Sequence, residues 1–358
     1  MSRQTAAMTR RDPIPPATHP RRPAPDWQVW AALLAVYLIW GSTYLAIRIA
    51  VESIPPFLAG GLRFVAAGLV LSVALMARGG AARLRITRGQ LAGAALIGVA
   101  LLVNGNGFVM VGEQQVPSGL AALVIAAVPL WVVVLRAATG ERVARLTLAG
   151  VAVGFAGVGL LVLRDGLGHA ASLPGTLVLL VASGSWASGS FVSRRVALPA
   201  DPLVSTAVQM LVAGVVLLAG SVVMGEASSL DVSRMSAESV IAVAYLVVFG
   251  SLVGFTAYTW LLQNAPISKV ATYAYVNPVI ALALGWLVLA EPLTPPILAG
   301  AALVIVAVAA IVTRESHPAP ETVAITEPAA LGAGTSPAPG TLREPLVEVA
   351  EVEAGLGR

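Results

Sequence analysis

Between Trp30 and Thr313 the chain reads as ten successive apolar runs, separated by short turns marked by proline and arginine. A helix of about 20 apolar residues spans the hydrocarbon core of a bilayer, and in hydrocarbon every backbone N–H and C=O must be satisfied inside the protein. Runs of this number and length therefore predict an all-α integral membrane protein. Composition agrees: 57% of the residues are hydrophobic and 11% charged, whereas ordinary soluble domains are about 45–50% apolar and about 25% charged. A soluble protein of 358 residues could not hide that much apolar surface, which excludes a soluble enzyme and a disordered scaffold. The absence of cysteine removes disulfide frameworks, thiolate metal sites, Fe–S clusters and cysteine nucleophiles.

The spans are expected near 30–50, 57–77, 90–111, 117–137, 146–163, 174–193, 202–223, 238–262, 269–289 and 296–313. Residues 1–29 read as a disordered basic arm with Arg10-Arg11 and Arg21-Arg22 as cytoplasmic anchors, and 314–358 as a disordered tail with seven glutamates. With the N-terminus inside, sixteen basic residues fall in inside segments and only Arg164 and Arg234 in outside loops. That asymmetry satisfies the positive-inside rule and places both termini in the cytoplasm and the protein in the cytoplasmic membrane. Basic residues confined to short loops give no footprint for nucleic acid; the expected partners are the lipid bilayer and a small-molecule substrate, with the oligomeric state left open.

The two halves repeat. Trp40-Gly41-Ser42 matches Trp186-Ala187-Ser188 at an offset of 146, which also takes Pro56 to Pro202 and Gly68 to Gly214. At 149, Gly105 matches Gly254, Pro117 matches Pro266 and Pro129 matches Pro278; at 150, Glu141 matches Glu291 and Ala149-Gly150 matches Ala299-Gly300. Each repeat, 30–163 and 174–313, holds five spans. Five is odd, so the second repeat enters the membrane from the opposite side. The expected fold is ten transmembrane helices built from two inverted five-helix repeats, an architecture of many secondary transporters.

The run from Trp40 to Arg48, then Pro55-Pro56, Leu62-Arg63-Phe64, Ala66 and Ala67, resembles EamA-type transporters of the drug/metabolite transporter superfamily. Tyr275 to Pro278, Glu291 and Ala299-Gly300 resemble the closing motif of that family. The resemblance covers roughly residues 30–313. It implies a ten-helix carrier with both termini inside, often an exporter of amino acids or other small metabolites.

Polar groups in apolar runs face a bundle interior or a cavity. Arg63 lies about six residues into span two; it either snorkels to the headgroups or sits inside the bundle, and its repeat counterpart is Gln209. Arg48 is expected to pair with Glu52 four residues on. Trp40, Thr43 and Tyr44 share a helical face, repeated by Trp186 and Ser190. Asn104, Asn106 and Asn277 lie deep in their spans and either line a cavity or link helices; Asn104 and Asn277 join the candidate set. Pro129 and Pro278 free the carbonyls of Ile125 and Ala274, and Tyr273, Tyr275 and Asn277 cluster around the second break. The substrate site is thus expected between the repeats, at Trp40, Thr43, Tyr44, Arg63, Asn104, Trp186, Ser190, Tyr273, Tyr275 and Asn277, with Pro129 and Pro278 as helix breaks. No metal or cofactor is expected. An enzyme is disfavoured because His19, His169 and His317 all lie outside the spans and no carboxylate stands near a span centre. A channel or a structural or sensor protein is the alternative to a carrier. Arg63 without an acidic partner favours a substrate with a carboxylate, zwitterionic or anionic.

Overall fold

The computed structural model describes residues 25–165 and 172–316. The remainder of the expected arm and tail, and all three histidines, lie outside the described residues. Ten long helical elements follow one another: α1 (Asp26–Ser53), α2 (Pro56–Gly79), α3 (Arg88–Glu113), α4 (Ser118–Ala138), α5 (Arg145–Asp165), α6 (Leu173–Val192), α7 (Pro202–Val223), α8 (Ala237–Asn264), α9 (Ile267–Ala271 continued by Tyr273–Leu289) and α10 (Pro295–Ser316). Nine are long and apolar enough to cross a bilayer, and α5 has the shorter apolar stretch Arg145–Leu161. Among the described residues there is no strand. The helices begin where the sequence allows: α2, α7 and α10 open on proline, whose missing N–H costs nothing in a first turn. A Thr87–Gln90 capping box opens α3. Helix α1 starts at Asp26, four residues before the expected edge of the arm.

Helix packing obeys the repeat. The pair α1 and α9 has its counterpart in α6 and α4, α1 and α8 in α6 and α3, and α2 and α8 in α7 and α3. The pairs α2 with α7, α5 with α10 and α4 with α9 map onto themselves. A pseudo-twofold axis through those three self-paired contacts relates the halves, as inversion of two five-helix units requires.

Polar contacts between turns sort the loops into two ends. At one, the basic end, Arg83 Nη2 lies 2.6 Å from Asp201 Oδ2, and Arg195 Nη2 lies 3.9 Å from Glu141 Oε1. At the other, the capped end, the Leu58 N–H donates to Glu226 Oε2 at 2.9 Å. There too the Ser118 and Gly119 N–H groups donate to Glu291 Oε1 and Oε2 at 2.7 and 3.0 Å. Alternate loops gather at opposite ends, which ten crossings demand.

Burial alone pushes the Asp201 carboxyl up, but hydrogen bonds from Arg83 and from the Leu203 and Val204 N–H groups, together with the Arg83 charge, outweigh it and hold the group below the usual carboxylate range. The stability it supplies is therefore complete above the ordinary carboxylate pKa and is lost as pH falls through the depressed value. Asp201→Asn should lower the melting temperature of the purified protein at neutral pH and have no effect once the medium is acid enough to protonate Asp201; an equal deficit at both pH values would refute the assignment. Reporter fusions ending at 139–144 and at 225–235 should report from opposite sides of the membrane, and a shared side would overturn the ten-span count.

Candidate functional site

The middle of the bundle departs from α-helical winding at two matched places. Helix α3 is π-wound over Val99–Gly107 and α8 over Leu246–Val253. A π-turn bonds i to i+5 and is concentrated at functional sites. In both helices a tryptophan from the opposite repeat presses against a glycine at or next to the wide turns. A Cβ placed on Gly105 would stand 2.7 Å from Trp186 Cε3, and one on Gly254 would stand 2.5 Å from Trp40 Nε1. The two indoles are thereby locked across the pseudo-axis, each needing a residue without a side chain.

Helix α4 breaks at Ala126–Ala127 into Ser118–Ile125 and Val128–Ala138. The first piece packs mainly against α9, α6 and α1, the second against α6, α5 and α10. The break thus gives the two pieces different neighbours on either side of the bundle centre. Toward the capped end Val51, Ile54, Val116 and Leu120 are all buried in one apolar cluster and form a plug.

Between these features lies a cavity of about 120 Å³, room for several waters. Trp40, Thr43, Tyr44, Arg63, Trp186, Tyr273 and Asn277 lie in its wall, as do Pro129 and Pro278. Asn104, Ser190 and Tyr275 do not. Tyr275 is two residues from Tyr273, about 200° away on a helix, and packs against the core instead. Asn104 lies two residues, about 200°, from Asn106, and it is Asn106 that lines the cavity. Ser190 lies one turn beyond Trp186, past the end of the wall.

Arg63 is 2% exposed, so it does not snorkel. Its Nε donates to Ser251 Oγ at 3.0 Å and its Nη1 to Asn106 Oδ1 at 3.3 Å. Among the described residues no carboxylate lies in ion-pair range and Nη2 has no hydrogen-bond acceptor. A guanidinium held by neutral groups alone remains an uncompensated cation beside the cavity. Opposite it stands an aromatic cluster: Phe255, Tyr258 and Tyr273 lie 5.5, 5.0 and 5.3 Å from the Trp40 ring, centroid to centroid. Asn277 is buried in the same wall with its acceptor Oδ1 unpaired.

Two expectations need correction. Helix α9 runs unbroken through Pro278; its interruption is at Thr272, whose hydroxyl bonds the Tyr37 hydroxyl and donates to the Lys269 carbonyl at 2.5 Å. Only Pro129 adjoins a break, so the matched prolines are not matched kinks. Arg48 does not pair with the exposed Glu52. Its Nη1 donates to the Glu113 carbonyl, because the last carbonyls of α3 lack intrahelical donors and are buried. Glu113, at the end of α3, is fully buried. Phe255 and Ser251 are residues at the cavity and at Arg63 that sequence reasoning passed over, and Asn106, weighed as a lining residue, was left out of the candidate set in favour of Asn104; the counterpart of Asn106 at the 149 offset is Phe255.

The model of the EamA-like transporter family matches residues 27–163 and again 173–313. The chain is 42% identical over 258 residues to a protein of Escherichia coli (strain K12) named "Uncharacterized inner membrane transporter YedA", covering 72% of this chain and 81% of that one. It is 27% identical over 280 residues to a "Probable amino-acid metabolite efflux pump" of Salmonella typhimurium (strain LT2), covering 76% of this chain and 90% of that one. A solved crystal structure with 23% identity superposes with a TM-score of 0.55 over 80% of this chain and 96% of its own, a likeness of fold.

The indole–glycine contact generates a test. Gly254→Ala should force the Trp40 ring aside and destabilise the protein by about 1–3 kcal/mol, the usual range for overpacking, read as a lower melting temperature in detergent. Trp40→Phe in the same chain should restore most of the loss. Additive damage in the double variant would show that the two residues do not meet.

Proposed function

The chain belongs to the EamA-like transporter family, and from that premise we propose that it is a secondary transporter exporting small metabolites that carry a carboxylate, amino acids among them, across the inner membrane by alternating access. The basic end faces the cytoplasm, following the positive-inside rule. The two repeats, 30–163 and 174–313, are the moving halves, and the cavity between them is the substrate site, which includes Trp40, Thr43, Tyr44, Arg63, Trp186, Tyr273 and Asn277.

The observation that carries the reading is Arg63. A buried guanidinium without an acid is costly, and its free Nη2 borders the cavity. A substrate carboxylate would offset that cost through a charge-assisted contact. The aromatic cluster suits an apolar body and, by cation–π attraction, an ammonium group; Asn277 Oδ1 is an acceptor for the same group. The buried apolar cluster at Val51, Ile54, Val116 and Leu120 closes the capped side of the cavity in this reading.

Uptake into inverted vesicles tests this with a panel of zwitterionic, acidic and cationic compounds. Arg63→Gln, which copies Gln209, should retain normal membrane levels and lose roughly ten- to hundredfold of carboxylate transport, the worth of about 1.5–3 kcal/mol for a hydrogen bond to a charged group. Tyr273→Ala should reduce transport of all accepted substrates. A wild type that moves only cations, or an Arg63→Gln variant with undiminished carboxylate transport, would refute the substrate class.

A further inference from the structure

Beyond the cavity, one group in the capped end is left without a function by everything above. Glu113 ends α3 one turn past Val109, which lines the cavity. Its side chain is wholly buried, and neither Oε1 nor Oε2 has a hydrogen-bond partner. Buried carboxylates are otherwise paired or hydrogen-bonded. The surroundings do not supply a partner. Helix α6 and the first piece of α4, both packed against this turn, contain no titratable residue. Helix α1 presents Tyr44 and Arg48, but Arg48 bonds the Glu113 backbone carbonyl and, among the described residues, makes no hydrogen bond to its carboxyl; Glu52, one turn further, is exposed. Helix α2 contributes Arg63, which is engaged with Ser251 and Asn106. From the α9–α10 turn comes Glu291, a second negative charge, whose own oxygens are saturated by the Ser118 and Gly119 N–H groups.

We propose that Glu113 is a proton-binding site coupled to the plug: it holds a proton while the capped end is sealed and releases it to water when that end opens. This inference rests on the alternating-access reading. The step is one of proton binding alone, with water on the capped side as source and acceptor. Sealing removes the carboxyl from water and brings it beside Glu291, where the neutral acid is the tolerable form. Opening hydrates it, so that water solvates the carboxylate that forms. The repeat counterpart at the 149 offset is Leu262; the basic end has no equivalent group, so only the capped end responds to protons through this device.

The chain has no cysteine, so a single introduced thiol reports alone. Val116 is 1% exposed within the plug, and Ser228 is exposed in the α7–α8 connection at the same end. Reaction of Val116→Cys with a membrane-impermeant maleimide reads opening, while Ser228→Cys reads the pH dependence of a thiol itself. The ratio of the two rates should rise with pH on the capped side, by up to about tenfold per unit for one proton released. In Glu113→Gln the ratio should lose its pH dependence, and an infrared band of a protonated carboxyl present in the wild type at neutral pH should vanish. A ratio flat with pH in the wild type, one that follows sodium rather than protons, or the absence of the infrared band would overturn the proposal, whether or not Glu113→Gln folds. Complete protection of Val116→Cys at every pH would instead overturn alternating access itself, and the proposal with it.

Discussion

The first N–H groups of a membrane helix have no partner within the helix, and in hydrocarbon they cannot fall back on water. In this protein that need joins the two repeats. Helices α2 and α4 begin just behind prolines with donors exposed, and each receives a carboxylate from the second repeat: Glu226 bonds the Phe57 and Leu58 N–H groups, and Glu291 bonds those of Ser118 and Gly119. A negative charge at a helix N-terminus is further favoured by the macrodipole. Delivery of Glu291 depends on Ala290, whose left-handed backbone (φ 53°) ends α9 and turns the chain back across α4. A non-glycine residue held there carries strain, and two charge-assisted hydrogen bonds are what hold it.

The same residue type behaves differently at the basic end. Glu141 is the counterpart of Glu291, but it lies 2.6 Å from Arg136 Nε of its own repeat and only 3.9 Å from Arg195 Nη2 of the other, and it makes no cap at the start of α9. The halves are therefore stitched at one end by helix caps and joined at the other by solvent-facing ion pairs, which are weak.

Spans, repeat and inversion were legible because they follow from periodic quantities: apolar run length, turn prolines and a nearly constant offset. The aromatic and arginine part of the cavity was legible for a related reason, since Trp40, Thr43 and Tyr44 keep ordinary helical phase. Legibility failed where tertiary contacts decide. Whether Asn104 or Asn106 faces inward is set by how α3 is turned among its neighbours, which its own sequence does not state. The break near Thr272 depends on a tertiary partner, the Tyr37 hydroxyl, and proline alone misplaced it by six residues. Arg48 chose a distant carbonyl over its neighbour Glu52 because burial decides which acceptor most needs a donor. Glu113 was hidden for the same reason: a helix end looks exposed in one dimension until α6 and α1 close over it.

The pseudo-symmetry has a historical consequence. Arg63, Arg48 and Glu113 all belong to the first repeat, whereas Phe255, Tyr258 and Tyr273 belong to the second. A homodimer of first repeats would place two guanidinium groups in one low-dielectric chamber, where like charges repel strongly; a homodimer of second repeats, with Gln209 at the equivalent position, would bring no counterpart of the Arg63 charge. The specialised halves can serve one another but can no longer serve themselves. Joining them in a single chain fixes their one-to-one ratio, and with it the single positive charge at the centre.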